Sequence, residues 1–284
     1  MVTRSVAPVT RDPAMTPSIV FLSDFGYRNE WVGICHAVID RIAPGSAVID
    51  LSHGIPPLDV RDGALLLADS VPFMRDEAIA LAVVDPSVGR DRDLAVRTGN
   101  GRLLVGPDNG ILDPAWQAMN GVAQVVSITS EQHTLQPIAP SFHARDVLAP
   151  AAAHLAAGVP LEDLGEPVDP DTLARLSMPE PNIERGRIEC EVLDLNRFGN
   201  VQLNVRESHL TAAGLDGSKH VSIEALSGAV VASRVSTYAD IDAEGWGLMV
   251  DPRGWLAVVR ANPGNAAEGL GVSSGDLIWI RDGS

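Results

Sequence analysis

AIALAVVDPSVGRDR, residues Ala78–Arg92, is the stretch from which the fold is read. It opens with an uninterrupted apolar run, Ile79–Val84, short, β-branched in part and bounded by turn residues. Such a run predicts a strand buried on both faces. The run stops at Asp85-Pro86, where proline withdraws a ladder donor and Gly89 permits a sharp turn. A carboxylate therefore stands at the carboxyl end of a buried strand, followed by a tight loop carrying Arg90 and Arg92. In open α/β sheets ligands bind along that edge. An aspartate that merely closes its own turn would leave the same local pattern.

The neighbouring segments repeat the arrangement. Ser18–Leu22 (SIVFL) predicts a strand ending in Ser23-Asp24-Phe25-Gly26. A helix then starts at Asn29 or Glu30, with Trp31, Ile34, Cys35, Val38, Ile39 and Ile42 at helical spacing, and Pro44-Gly45 stops it. Ala47–Leu51 reads as a strand running into Ser52-His53-Gly54, and a second helix spans roughly Asp59–Val71. Leu94–Thr98, Arg102–Val105 and Val125–Ile128 are further short β runs, the second ending in Gly106-Pro107-Asp108-Asn109-Gly110. SFHARD, Ser141–Asp146, precedes a small-residue helix at about 147–157, with Pro150 in its first turn. This alternation predicts an α/β/α sandwich-like N-terminal domain. If its sheet is mainly parallel, Asp24, Asp50/His53, Asp85 and Asp108/Asn109 meet along one edge.

Beyond residue 187 the pattern changes to short β runs between turns: 187–195, 201–205, 220–226, 229–236, 246–250, 255–261 and 276–281, with Asp251-Pro252-Arg253-Gly254 as a hairpin turn. A smaller, mainly antiparallel β-barrel-like domain is expected there. The organisation read from the chain is a loose tail over 1–17, an α/β domain over 18–165, a Pro-rich charged linker over 166–186, and a β domain over 187–284.

Composition narrows the function. A net charge of −16, with no basic run, argues against nucleic-acid binding. Cys35 and Cys190 lie far apart and outside any CxxC or Cys/His cluster, so neither a disulfide framework nor a structural zinc site is expected, and a reducing, cytoplasmic setting fits. The first 17 residues carry Arg4, Arg11, Asp12 and three prolines without a signal-type apolar core, and no window approaches about 18 uninterrupted apolar residues, so no membrane association is expected. His36 is read as structural, and His53, after a strand end, as either structural or a residue lining the pocket. A metal hydrolase built on Asp24, Asp50, His53, Asp85 and Asp108 finds no recognised ligand spacing in its favour.

The motifs SDFG (Ser23–Gly26), DPSVGRDR (Asp85–Arg92), GPDNG (Gly106–Gly110), SFHARD (Ser141–Asp146) and NRFGN (Asn196–Asn200), with the late turn PRGWL (Pro252–Leu256), occur in this order. Together they resemble the S-adenosyl-L-methionine hydroxide adenosyltransferases, hydrolytic relatives of the bacterial fluorinase and chlorinase. The resemblance runs from about residue 18 to the C-terminus. It implies an N-terminal α/β domain, a C-terminal β-barrel-like domain, and a homotrimer with sites at subunit interfaces. It also implies hydrolysis of S-adenosyl-L-methionine (SAM) to adenosine and L-methionine, with SAM as substrate and no further cofactor or metal. In this resemblance Asp85, Arg92 and His143 form the catalytic set. Asp24 holds the ribose hydroxyls, Asn200 reads the adenine edge, Phe198 lies near that ring, and Arg253 engages the methionine carboxylate, which suits a bidentate guanidinium. Asn196 stands where the family usually has an Asp that holds the methionine amine; Asp194, two residues earlier on the same strand face, is an alternative. Ser87 and Ala144 replace glycines of the family pattern. Halogenating relatives lack the Asp and the His at the places of Asp85 and His143, so the resemblance favours water as nucleophile over halide. A halide-using relative and a non-catalytic nucleoside-binding protein remain open readings at this level.

Overall fold

The computed structural model describes residues 16–261 and 264–283. The tail expected over 1–17 therefore lies almost wholly outside the described residues. The chain divides into two compact units that meet between Leu176 and Ser177.

In the first unit the elements run β1 (Ile19–Ser23), α1 (Trp31–Ile42), β2 (Val48–Ser52), α2 (Val60–Ser70), β3 (Ile79–Val83), β4 (Asp93–Thr98), β5 (Leu103–Pro107), α3 (Asp113–Ala118), β6 (Val122–Ile128), α4 (Ala149–Ala156) and β7 (Gly165–Pro167). The sheet order is β2-β1-β3-β5-β4-β6-β7. β2, β1, β3 and β5 are mutually parallel, whereas β4 runs antiparallel to both β5 and β6. The strand of the opening stretch, β3, is central and buried at every position. Its residues alternate between two cores. Ile79, Leu81 and Val83 pack with Val32, Cys35, Ile39 and the alanines of α4, while Ala80, Ala82 and Val84 pack with Ala64, Leu67 and Trp116 of α2 and α3. The three-layer α/β/α sandwich follows directly from that two-faced strand. Burying a side chain such as Leu81 contributes roughly 1.5–3 kcal/mol.

Two details differ from the periodicity reading. α1 buries Val32, Cys35, Val38 and Ile39, while Trp31 is rotated outward, 40% exposed. The small-residue helix begins as a π-helical turn over Ala144–Leu148, directly after His143, before becoming α4.

The second unit comprises β8 (Asn182–Glu184), β9 (Arg187–Leu195), β10 (Val201–Leu203), α5 (Glu207–Ala213), β11 (His220–Ala225), β12 (Gly228–Arg234), β13 (Trp246–Val250), β14 (Leu256–Arg260), α6 (Ala266–Leu270) and β15 (Leu277–Asp282). The order is β10-β14-β13-β12-β11-β15-β9-β8, and an additional β10–β9 pairing closes it into a seven-strand barrel with β8 outside. All its pairs are antiparallel except β12–β13. Closure removes the exposed strand edges that a small sheet would otherwise present. Ile188, Val192, Val201, Leu203, Ile223, Val258 and Ile278 fill the interior.

The stretch 166–186 is tied down along much of its length. β7 extends the first sheet. Ala174 N–H donates to Asp108 at 2.8 Å and Leu176 N–H donates to Asp113 at 3.0 Å. β8 then pairs with β9. Cys35 and Cys190 are buried free thiols, and burial pushes Cys35 up to about 12, so neither is a reactive thiolate.

Candidate active site

The four parallel strands of the first unit all end on the same edge, which places Asp24 (after β1), Asp50 and His53 (β2 and its loop), Asp85 (after β3) and Asp108 (after β5) at one side of the sheet. The convergence expected from the strand ends is therefore present.

Asp24 is half-buried, and its Oδ2 accepts from the Leu58 N–H at 2.9 Å. The loop around it is folded back by Gly26, at φ +63°, whose N–H donates to the His53 carbonyl at 2.7 Å. Asp85 is half-buried, with Oδ1 accepting from the Ser87 N–H at 3.0 Å. Burial raises its carboxyl above the ordinary range, and the nearby Asp93 and Asp91 add to the rise, against the Ser87 hydrogen bond and His143, which lower it. His143 is the N-cap of the π-helical turn, and its Nδ1 lies 2.7 Å from Oδ2 of Asp93, the first residue of β4. Asp93 is 8% exposed, and burial raises its carboxyl although the His143 hydrogen bond pulls it down. A carboxylate only accepts, so beside the ionised Asp93 the neutral imidazole carries its proton on Nδ1 and leaves Nε2 as an acceptor. Nε2 faces the 85–89 loop: a Cβ built on Gly89 would lie 3.7 Å from it.

Gly89 is required at that approach. Its φ is +80°, and an added Cβ would come within 2.9 Å of the Pro140 carbonyl oxygen. Gly89→Ala is expected to cost roughly 1–2 kcal/mol in backbone strain and to lower kcat by about 10²-fold through a small displacement of the Asp85 loop from His143. Thermal melts and steady-state kinetics of the variant check both effects.

The loop that carries His143 is fixed from behind. Asp146 accepts from both Nε and Nη2 of Arg145, at 2.6 and 2.7 Å, and from the Ala139 N–H at 2.8 Å. Burial pulls the Asp146 carboxyl up, but these hydrogen bonds outweigh it and hold it below the usual range.

Arg92 is engaged elsewhere. Its Nε and Nη2 donate to Asp108 Oδ2 at 2.9 and 2.5 Å, and its Nη1 and Nη2 donate to the Thr172 hydroxyl and carbonyl at 3.3 and 3.1 Å. It clamps the GPDNG turn to the 172–174 segment, and it is not among the groups acting on Asp85. The structure thus brings His143 to the Asp85 loop, while the Arg92 guanidinium is held by Asp108 and Thr172. Asp93, missed from the sequence, is the residue that touches His143. Its only signal was its position beside Arg92.

In the second unit Asn196 folds its own turn. Its Oδ1 accepts from the N–H groups of Phe198 and Asn200, at 3.0 and 3.1 Å. Asn200 Nδ2 donates to the Tyr238 hydroxyl at 2.8 Å, and Phe198 stands 69% exposed under the Arg197 guanidinium. Asp194 is half-buried on β9, opposite Gln202. Arg253 lies at the other end of β10. Val201 pairs with Val258, and Leu256 N–H donates to the Val205 carbonyl, so the 252–255 turn adjoins residues 205–206. Its backbone N–H closes the turn on Asp251. The arginine at the Asn196–Asn200 end of that hairpin is Arg260, packed over Trp246. A cleft of about 550 Å³ on this unit, lined by Glu207, Asp216, Lys219, His220, Ser233 and Arg234 among others, contains none of the motif residues.

Residues 19–165 match the SAM hydroxide adenosyltransferase N-terminal domain, and residues 190–279 match the SAM hydroxide adenosyltransferase C-terminal domain. The chain belongs to the SAM hydroxide adenosyltransferase family. A relative in Salinispora tropica, named (R)-S-adenosyl-L-methionine hydrolase, is 42% identical over 95% of this chain and 100% of its own. A fluorinase of an Actinoplanes species is 26% identical over 90% of this chain and 97% of its own. A crystal structure of an uncharacterized conserved protein from Thermotoga maritima superposes with a TM-score of 0.84 at 30% identity, covering 93% of this chain and 99% of that one. Membership of the SAM hydroxide adenosyltransferases agrees with the α/β-plus-barrel division described above, and no helix among the described residues is long and apolar enough to cross a membrane.

Proposed function

We propose that this chain hydrolyses S-adenosyl-L-methionine to adenosine and L-methionine, with water attacking C5′ in line with the C5′–S bond. The observation that carries the reading is the Asp93–His143 pair, whose remaining imidazole nitrogen faces the loop of Asp85. The substrate is a sulfonium, and the thioether leaves neutral, so departure needs no proton donor and SAM serves as substrate without a separate cofactor. Two tasks remain for the protein. It holds a water in line, a proximity term that can reach several kcal/mol in well-oriented systems. It also takes the water's proton, a general-base term of about 10²–10⁴-fold. As the new O–C5′ bond forms, the C5′–S pair returns to sulfur and the water proton passes to His143 Nε2. Asp85, with one oxygen already held by Ser87, orients the same water with its other.

Asp24 fits the ribose cis-diol, because its carboxylate stands at the mouth of the parallel edge and can accept from two hydroxyls. Asn200 and Phe198 offer an amide edge and an exposed ring for the adenine. Asn196 acts by shaping that turn. Arg253, in the turn after β13 and at the opposite end of β10 from the adenine-reading Asn200, offers a guanidinium for the methionine carboxylate, which lies at the other end of SAM from its adenine. Arg92 acts by fixing the Asp108 turn. The motif residues are shared between the two units, and exposed apolar side chains accompany them in each: Tyr27, Trp31 and Leu58 in the first, Phe198 and Tyr238 in the second. Both features suit a homotrimer in which subunits complete one another's sites. Light scattering on the purified protein reads the oligomer.

The activity test is incubation with SAM in ¹⁸O-labelled water. Adenosine carrying the label at its 5′-hydroxyl is expected. Unlabelled adenosine, a 5′-halo nucleoside formed when chloride or fluoride is added, or tight calorimetric binding without product would each overturn the reading.

A further inference from the structure

Away from His143, three side chains converge on one carboxylate oxygen. His36 Nε2, from α1, lies 2.8 Å from Asp50 Oδ1, and His53 Nε2, from the loop after β2, lies 3.1 Å from the same oxygen. All three ligand atoms fall within 4.8 Å of one another. His53 is 1% exposed, and its Nε2 is buried without an aligned hydrogen bond, although the carboxylate is close. Its other nitrogen, Nδ1, is 2.6 Å from the buried Ser23 hydroxyl, which also accepts from the Phe25 N–H. That contact orients the ring so that Nε2 points at Asp50, as a second shell orients a metal-ligating imidazole. Phe21 and Tyr27 pack edge-on against the same ring, and the Tyr27 phenol hydrogen-bonds Asp50.

We infer that His36, Asp50 and His53 form a binding site for a first-row divalent cation, zinc foremost. Two imidazoles and a carboxylate are a borderline donor set that suits zinc, with a water in the fourth position. Metal–ligand distances near 2.0–2.2 Å give tetrahedral edges of about 3.3–3.6 Å, so binding would spread the observed 2.8 and 3.1 Å edges by roughly 0.2–0.8 Å. A cation would meet the buried His53 Nε2 directly, whereas the network as it stands gives that nitrogen only a poorly aligned contact with Asp50 at 3.1 Å. The ion would tie α1 to the 50–58 loop. That loop is also bound to the substrate edge through Gly26 on His53 and Leu58 on Asp24. Its role is a structural clamp beside the site, separate from the displacement step.

The test uses the untagged full chain made metal-free by chelation and dialysis. Zinc titration by calorimetry is expected to show one ion per chain, and cobalt(II) substitution is expected to give the visible absorption of a tetrahedral site. His36→Ala, at a half-exposed position that tolerates truncation, is expected to weaken zinc affinity by at least about tenfold and to abolish the cobalt spectrum. Asp50→Asn is expected to do the same. His133→Ala, which breaks the other close imidazole pair, with His154, is expected to bind zinc as the parent does. Absence of stoichiometric zinc binding in the parent chain, undiminished binding by His36→Ala, or loss of binding in His133→Ala alone would overturn the assignment. None of these readouts depends on turnover of SAM.

Discussion

Alanine in place of His143 is expected to lower kcat for adenosine formation by about 10²–10⁴-fold, the range a positioned general base contributes. KM for SAM should stay within a few-fold, because no reading of the site places the imidazole on the ground-state sulfonium. The imidazole lies at the front of a rigid loop, with its supporting carboxylate Asp93 behind and Gly89 in front. Truncation therefore removes the proton acceptor without dismantling the strands beneath it. Asp85→Asn should give a loss of similar order, since it keeps the Ser87 contact through the side-chain oxygen but removes the charge that orients the water. If both residues act on one water, the double variant loses little more than the worse single one, as groups that work as a unit do. Steady-state kinetics on the three variants decide the point. A His143→Ala enzyme within tenfold of the parent, or strictly additive losses, would remove the pair from the chemistry.

Much of the fold was legible because it is carried by local signals. The run Ile79–Val84 reads as a doubly buried strand, and its side chains do divide between two cores. β9 and β13 fall on the residues their β runs predict, and the turn at Asp251–Gly254 is a hairpin closed by Asp251. The polar strand ends converge because β2, β1, β3 and β5 are parallel.

What was not legible depends on partners far apart in the chain. Asp93 meets His143 across 50 residues, and Arg92 reaches Asp108 and Thr172 across 16 and 80, so composition and spacing gave no hint of either pairing. Asp93 opens β4 and turns to the imidazole, while Arg92, just before the strand, is held by Asp108 and Thr172. Arg253 sits in a recognisable turn, but only the β10–β14 register reveals that the turn lies at the far end from Asn200. His36 reads as a polar helix residue until β2 brings Asp50 beside it.

Asp93→Asn is expected to lower kcat by about 10²–10⁴-fold while leaving the protein as stable at neutral pH, or more so. The amide has the shape of the carboxyl but can offer its N–H₂ to the imidazole. Nδ1 then becomes the acceptor, and the proton moves to Nε2, the nitrogen that must take the water's proton. A loss of about 10⁴-fold accompanies this tautomer error in the Ser-His-Asp hydrolases. The stability sign follows from the carboxyl's direction of shift. Burial raises Asp93 in the folded state, the neighbouring Asp91 adds to it, and the His143 hydrogen bond opposes both. A raised carboxyl contributes stability below its unfolded value, and that stability is lost as pH rises through the folded value. At neutral pH the buried charge is therefore a net cost, which asparagine removes. The rate should also change its pH dependence. In the variant the rate should climb with hydroxide concentration, because solvent must supply the base. A merely structural Asp93 would behave otherwise, with a lowered melting temperature, an unaltered pH profile and a kcat recovered once the variant is folded. Asp93→Glu, which keeps the charge and the acceptor, should recover part of the lost rate.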